Sequence, residues 1–554
     1  MSPPSILLIA LLVVVGGVLI LRLHAFLALI LGALTVAALT PTEAVYQSIL
    51  RTSGIRVVSV DSIQETATLK VGKQQKFIAG DNILLAAGPQ PNTFALGDRV
   101  MLKVVDQDEQ RTVVQCANRE SLAKLKSYGL LLHQSQETDA RATAKQNLGQ
   151  RIATGFGRTC LGIGILIAMA AIVGKCVLES GAAMRIVVSA RQAVGDDRTP
   201  LALLGSGFTV GIPVFFDTVF YLLLPLGKAM HVRTGKNYLL YVLSIVAGAT
   251  MAHSLVPPTP GPLFVANELG VDLGAMMLGG AIVGLFSALA GYTFARFANA
   301  SMEIPLRPSA ELSAAELEAM ADRDETGLPP LWLSLLPILL PVILIAGTTV
   351  IAMLFGKDKV PAAMKLLGDK NIALTIAAVV ALGIYAWAKR ASRKELAASV
   401  QTALSGGGVI ILITAAGGAF GHVLRQTDIS GSIQQFIPEE QAGLMLLVIA
   451  FATTMVVRAA QGSATVAMIT AVGIIAPLAA TMDLPYNRLY LALAVGCGSK
   501  PLPWMNDSGF WIISKMSGMT EAETLKTVTV MLTIMGLVGL CVTLLGATLL
   551  PFAS

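Results

Sequence analysis

Long uninterrupted apolar runs constrain this chain more than any other feature. Residues 5–21, SILLIALLVVVGGVLIL, carry no charge, and comparable blocks rich in Leu, Ile, Val and Ala recur to the C-terminus. A bilayer core takes about 20 apolar residues per helical crossing, so the blocks supply about a dozen spans with one sizeable polar stretch left over. Charged residues are 13% of the 554 against 54% hydrophobic, where soluble domains carry about 25% charged. A soluble globular protein and a single-pass anchor are excluded. So is an outer-membrane barrel, whose strands would read as alternating segments of about ten residues. The expected fold class is an all-α polytopic membrane protein of about 12 transmembrane helices with a small β-rich soluble insert.

The 40 Lys and Arg residues outnumber the 34 Asp and Glu, for a net charge of +6. In a polytopic protein such an excess belongs to cytoplasmic loops, and no nucleic-acid partner is expected. Cys116, Cys160, Cys176, Cys497 and Cys541 form no CxxC pair or metal-ligand spacing, and His24, His133, His231, His253 and His422 are scattered. No disulfide framework, metal or cofactor is expected. The chain lacks a GxxxxGK[ST] phosphate loop and HExxH, so neither ATP hydrolysis nor zinc protease chemistry is expected, and uphill transport would draw on an ion gradient. The first apolar run has no basic n-region and exceeds the roughly 7–15 residues of a signal-peptide core. It is expected to remain as the first span, in a segment 1–53 of N-terminal membrane helices.

Arg22 marks a cytoplasmic turn before the second span, which places the N-terminus outside. Between residues 54 and 141, short alternating runs (RVVSV, ATLKV, RVMLKVV, RTVVQC) separated by GDN, GPQPN and DQDEQ turns read as strands. With a trailing charged helix they form the insert, 54–150, expected on the extracytoplasmic side. Basic clusters at Arg185, Arg191 and Arg198, at Lys228, Arg233 and Lys236, and at Lys389, Arg390, Arg393 and Lys394 belong inside. Residues 301–330, with Glu311, Glu316, Glu318, Asp322, Asp324 and Glu325, read as a polar linker with a solvated acidic face.

The two halves resemble each other. GIGILIAMAAIVGKCVLESG (162–181) aligns with GGVIILITAAGGAFGHVLRQT (407–427), Gly174 on Gly421 and Lys175 on His422. Each is followed by a Gly-interrupted block, GSGFTVGIPVFFD or RAAQGSATVAM, and then by a Pro-rich break, HSLVPPTPGPL or GSKPLPWMNDSGF. Paired Gly/Pro interruptions at corresponding places in two halves point to a transporter site built from broken helices. Residues 151–300 and 396–554 are the expected transport repeats, with scaffold helices in 331–395; an inverted relation is expected, although likeness of sequence alone does not distinguish inverted from parallel repeats.

Asp217 lies inside GIPVFFDTVFYLLLPL, where an ionised carboxylate costs at least a few kcal/mol unless paired or hydrated. It is read as functional, or as the cap of a half-helix that begins after Pro213. Asp507, with Asn506 and Ser508, follows Pro501 and Pro503 and suits sugar-acid hydroxyls or a cation; the plain alternative is an N-cap. In HSLVPPTPGP, four prolines among ten residues forbid a helix, and such backbone survives in a bilayer only where it is buried in protein or lines a cavity. That break brings His253, Pro257, Thr259 and Gly261 into the candidate substrate site. The second half adds Gln461, Gly462, Ser463 and Thr465, with free amides for an anion. His253 is read equally as a proton relay, with an ordinary pKa near about 6.5, and as a satisfied buried histidine. Arg458 offers a planar fork for a carboxylate, against the alternative that it snorkels to headgroups from a helix end. Asp217 and Asp507 are the candidate proton carriers, since desolvation disfavours a charged carboxylate.

Five motifs together, RLHAFLALILGAL, GIPVFFD, HSLVPPTPGPL, AAQGSATVAMITAVG and MNDSGFWIISKMSGMTEAETLKTVTVM, resemble the gluconate:proton symporter family of the ion transporter superfamily, in that family's order and over nearly the whole chain except the insert. The resemblance implies a bacterial inner-membrane permease that takes up gluconate or a related small organic anion with protons. It also implies inverted repeats with re-entrant hairpins, a homodimer embedded in the lipid bilayer, and one domain that carries the site across. The alternative within the class is a sodium-coupled carrier or one specific for another organic anion. The departure from the family pattern is the insert: about a hundred residues separate the helix near residues 44–50 from the GFG segment at 155–157.

Overall fold

The computed structural model describes residues 2–53, 55–61, 66–70, 81–90, 93–107, 111–116, 130–132, 134–307, 327–427, 442–482 and 484–552. His133, residues 117–129 of the expected trailing helix, and the acidic residues expected to form the linker lie outside them. Chain contacts divide the protein into two units: residues 1–11, 32–154 and 422–438, and residues 12–31, 155–421 and 439–554.

The chain opens with α1 (Pro3–Leu19) and α2 (Ala25–Leu39); in the first unit, α3 (Thr42–Ser53) leads into six strands: β1 (Ile55–Asp61), β2 (Thr66–Lys70), β3 (Asp81–Gln90), β4 (Thr93–Gln107), β5 (Arg111–Cys116) and β6 (Leu130–Leu132). They close into an antiparallel barrel in the order β1-β2-β5-β4-β3-β6, with Arg56 opposite Lys70, Leu84 opposite Val100 and Ile55 opposite Leu131. Val, which suits a pleated surface, is the commonest residue of β1 and β5. α4 (Gln134–Ala144) returns to α3, where Tyr46 Oη donates to Glu137 Oε1 at 3.3 Å. Glu137 also pairs with Arg141 one turn on. Deeper in this unit, buried Arg151 donates to Gln426 Oε1 (2.7 Å) and to the Ala37 carbonyl (3.1 Å).

The second unit is helical. Its main elements are α5 (Leu148–Glu179, from Gly155 on), α6 (Ala182–Val194), α7 (Thr199–Val210), α8 (Phe216–Thr234), α9 (Tyr238–Leu255), α10 (Pro260–Leu269), α11 (Leu273–Ser301), α12 (Leu331–Phe355), α13 (Ala362–Leu367), α14 (Lys370–Lys389) and α15 (Arg393–Arg425, to Gly421). After these come α16 (Ala442–Gln461), α17 (Ala464–Thr481), α18 (Arg488–Gly498), α19 (Ser508–Ser517), α20 (Glu521–Thr524) and α21 (Val530–Leu549), the last two joined by a π-helical turn, Leu525–Thr529.

Among the described residues, eight helices are long and apolar enough to cross a membrane, or nine if α2 (Ala25–Leu39) and residues 42–50, bent by 97°, count as one broken span. Pro3–Val18, Ala464–Ala480 and Arg488–Gly498 are apolar but shorter, so the expected dozen is reached only by counting these as well. Outward-facing Leu161, Phe297, Trp332 and Val456 are each more than 60% exposed. A surface of this kind would drive aggregation in water and is the ordinary lipid-facing surface of a helical bundle. The protein is a multi-pass helical membrane protein.

The core of this unit is α9, which is almost wholly buried. It can sit there because small residues let backbones approach: a Cβ on Gly248 would overlap the carbonyl oxygen of Leu204 on α7. Gly211, just after α7, likewise lies against the backbone of Ala249 on α9, which seats the turn leading into α8 beside that helix.

Candidate functional site

Four helix breaks meet around one cavity of about 280 Å³ in the second unit, near the lower end of the roughly 300–1,000 Å³ usual for small-molecule sites. The breaks are 211–215 between α7 and α8, 256–259 between α9 and α10, 462–463 between α16 and α17, and 499–507 between α18 and α19.

At the first break the chain turns through Gly211 and Pro213, and α8 starts at Phe216 without a side-chain cap. Asp217 therefore stands in the first turn, where the helix dipole favours negative charge, but it caps nothing. It is half-buried, lines the cavity, and has no hydrogen bond or ion pair among the described residues. The Phe215 ring meets the His253 ring edge-on, 5.8 Å between centroids at 67°.

At the second break, Val256 takes an extended conformation and the Pro257–Pro258 bond is cis. Thr259 Oγ1 donates to the Val256 carbonyl at 2.8 Å, which satisfies one of the carbonyls that the prolines strand. His253 and Pro260 line the cavity, and His253 Nδ1 is buried without a partner among the described residues. Pro257, Thr259 and Gly261 stand back from the cavity; Gly261 packs on Met468 of α17.

The third break is set by Gly462, at φ +73°, where a Cβ would overlap the carbonyl oxygen of Asn506. Only glycine meets both conditions. Ser463 caps α17, its hydroxyl accepting from the Val466 amide at 3.4 Å. Gly462, Ser463 and Thr465 line the cavity. Gln461 is buried behind them, with neither amide atom partnered among the described residues.

The fourth break holds most of the charge. Asp507 caps α19, accepting from the amides of Gly509 (2.6 Å) and Phe510 (3.3 Å), and its other oxygen pairs with Arg458 Nη2. The two side chains are only 8% and 5% exposed, so Arg458 is held inside the protein and does not reach for headgroups. Asn506 Nδ2 donates to the carbonyls of Ala459 (2.8 Å) and Ala460 (3.1 Å) at the end of α16, and Asn506 does not line the cavity. Ser508 does. From behind, Thr529 Oγ1 in the π-helical turn donates to the Pro503 carbonyl (2.5 Å) and Thr533 Oγ1 accepts from the Leu502 amide (3.2 Å).

The structure thus gathers Asp217, His253, Gly462, Ser463, Thr465, Asp507 and Ser508 on one cavity, together with Arg458. Sequence reasoning passed over Lys500, which is 4% exposed, lines the cavity, and donates from Nζ to the Thr250 carbonyl at 3.0 Å. The signal was present: a lysine beside Pro501 at the end of an apolar run meets the same test that singled out Asp217. Phe215 and Phe216, which close one side, carried no such signal. Among the described residues no group of three His, Cys, Asp or Glu could hold a metal ion.

A helical membrane protein in which four broken segments enclose a small cavity lined by buried charges has the architecture of a secondary transporter. The model of the GntP family permeases matches residues 132–549, and the chain belongs to this family; it is a permease and not an enzyme. It is 36% identical over 396 residues to a gluconate permease of Pseudomonas aeruginosa, covering 71% of this chain and 86% of that one. It is 31% identical over 407 residues to the inner membrane permease YgbN of Escherichia coli, covering 72% and 88%. Among solved structures the fold resembles MtrF of Neisseria gonorrhoeae, with a TM-score of 0.55 at 14% identity over 76% of this chain and 88% of that one. It also resembles the YdaH transporter of Alcanivorax borkumensis, at 0.51 and 12% identity, over 85% and 95%. The family match begins where the barrel ends.

Proposed function

We propose that this permease imports gluconate or a related small hydroxy-carboxylate across the bacterial inner membrane by proton symport, and that Asp217 carries the proton. One observation bears most of the weight: of the two carboxylates on the cavity, only Asp217 is free to change its charge. Asp507 is held as an anion by Arg458 and by two amides, so its protonation would leave a buried guanidinium uncompensated. Asp217 has no such anchor. Protonated, it removes a negative charge from the cavity and admits an anionic substrate; deprotonated, it repels one.

The substrate's hydroxyls then meet Ser463, Thr465 and Ser508, and the N-terminus of α17 turns backbone amides and a positive dipole end towards its negative charge. The kinship with gluconate permeases supports the choice of substrate class. The pairing of breaks 211–215 with 462–463, and of 256–259 with 499–507, supports two inverted repeats, in 151–300 and 396–554, with re-entrant hairpins at 211–215 and 462–463. A homodimer with the barrel outside the cytoplasm completes the proposal.

The test is uptake of labelled gluconate into vesicles of purified protein, with an inward proton gradient imposed and then collapsed by an uncoupler. Accumulation that collapses with the gradient supports the reading. Accumulation that follows a sodium gradient instead would replace the coupling ion, and none with any hydroxy acid would refute the function.

A further inference from the structure

We propose that Lys500 is the seat of the substrate carboxylate, and that this single cation restricts the permease to monocarboxylates. The inference rests on the symport reading above and adds the residue that sets substrate charge. Lys500 lines the cavity, is 4% exposed, and has one acceptor, the Thr250 carbonyl at 3.0 Å. An ammonium has three donors, so that bond leaves two N–H groups. Among the described residues no carboxylate pairs with Lys500. A buried charge without a counter-ion is costly to hold, and here it stands at a cavity of about the volume of a small metabolite.

Arg458, the other cation lining the cavity, is already matched. Asp507 neutralises its charge; its Nε and Nη1 atoms are buried without a hydrogen-bond partner among the described residues, so Arg458 has donors to spare but no charge left to balance. With Asp217 protonated, the charges around the cavity are Arg458 and Lys500 against Asp507, and one positive charge is left. One carboxylate balances it. A second carboxylate on the same substrate would enter a buried site already neutral and find no cation. Lys500 also holds its position through α9, since its acceptor belongs to Thr250 in the turn that precedes His253. The carboxylate therefore seats between the break after α18 and the end of α9, and the sugar hydroxyls extend towards Ser463, Thr465 and Ser508.

The test is binding of labelled gluconate to the purified full chain in nanodiscs, competed by glucarate, which is the same carbon chain with a second carboxylate, and by the neutral polyol glucitol. Wild-type protein is expected to bind gluconate and to discriminate against both competitors by at least about tenfold, with Lys500→Met weakening gluconate by about 10- to 100-fold and Lys500→Arg retaining part of it. A second readout separates ligand binding from a structural role. Without ligand, Lys500→Met is expected to melt at or above the wild-type temperature, because an uncompensated buried charge is gone; a lysine that merely braced Thr250 would give a lower melting temperature. Glucarate competing as well as gluconate, or gluconate affinity in Lys500→Met within twofold of wild type, would overturn the proposal. If wild-type protein binds no hydroxy acid at all, the symport reading falls first and this assignment with it. The competition series on wild-type protein needs no variant to fold.

Discussion

Arg458 at the end of α16 and Asp507 at the start of α19 form an ion pair buried to 8% and 5% side-chain exposure, and Asp507 caps α19 through the same carboxylate. The pair joins two of the four broken segments. Removing one partner of such a pair strands the other charge, at a cost of about 3–5 kcal/mol. Asp507→Asn keeps a good capping side chain yet loses the charge. It is expected to lower the melting temperature and abolish uptake at every pH, with Arg458→Met/Asp507→Asn recovering part of the stability. A thermal-melt double-mutant cycle checks this; additive losses would mean the two residues are not coupled.

Gly462 is held at φ +73° with its α-carbon against the Asn506 carbonyl. Gly462→Ala should destabilise by more than about 1 kcal/mol and impair transport, because the two breaks can no longer close on each other. Gly164→Ala, in the open on α5, is the matched control and should be neutral or slightly stabilising. Melting curves for both variants decide the point, and equal curves would remove the role given to the close approach.

Apart from Leu132, the last residue of β6, the barrel strands lie ahead of the family match, which begins at residue 132. α3 and α4 meet directly through Tyr46 and Glu137, so residues 55–132 can be replaced by a short Gly/Ser bridge. Uptake per folded molecule is expected to persist. Loss of uptake in a folded, membrane-inserted deletion would make the barrel part of the transport machinery.

The breaks were legible in the sequence because their cause is local. Proline removes a backbone donor and glycine admits φ above zero, so a break within HSLVPPTPGPL and within QGSAT was legible, but the expectation that four prolines forbid a helix across 253–262 was too broad: only 256–259 and 462–463 are non-helical, because Pro260 is accommodated in the first turn of α10. Asp217 was legible because a carboxylate in an apolar run has no inexpensive explanation. Partnership was not legible. Arg458 and Asp507 stand 49 residues apart, and only packing shows that each satisfies the other, leaving Asp217 as the free carboxylate. Asn506 had the composition of a ligand, yet its amide binds the stranded carbonyls of α16, and Thr259 likewise serves its own loop. The charge of Lys500 was legible in the sequence, but its burial and its bond to the Thr250 carbonyl, 250 residues away, are set by packing.

The proton assignment is tested most directly by Asp217→Asn in vesicles, with gradient-driven accumulation and gluconate exchange at equilibrium measured on the same preparation. Asn fixes residue 217 in a neutral state like the protonated carboxyl. The variant is therefore expected to exchange labelled for unlabelled gluconate but to accumulate none against a gradient, and its exchange should lack the decline with rising pH that is expected of wild-type protein. Wild-type accumulation by Asp217→Asn, collapsing with the proton gradient as before, would contradict the account.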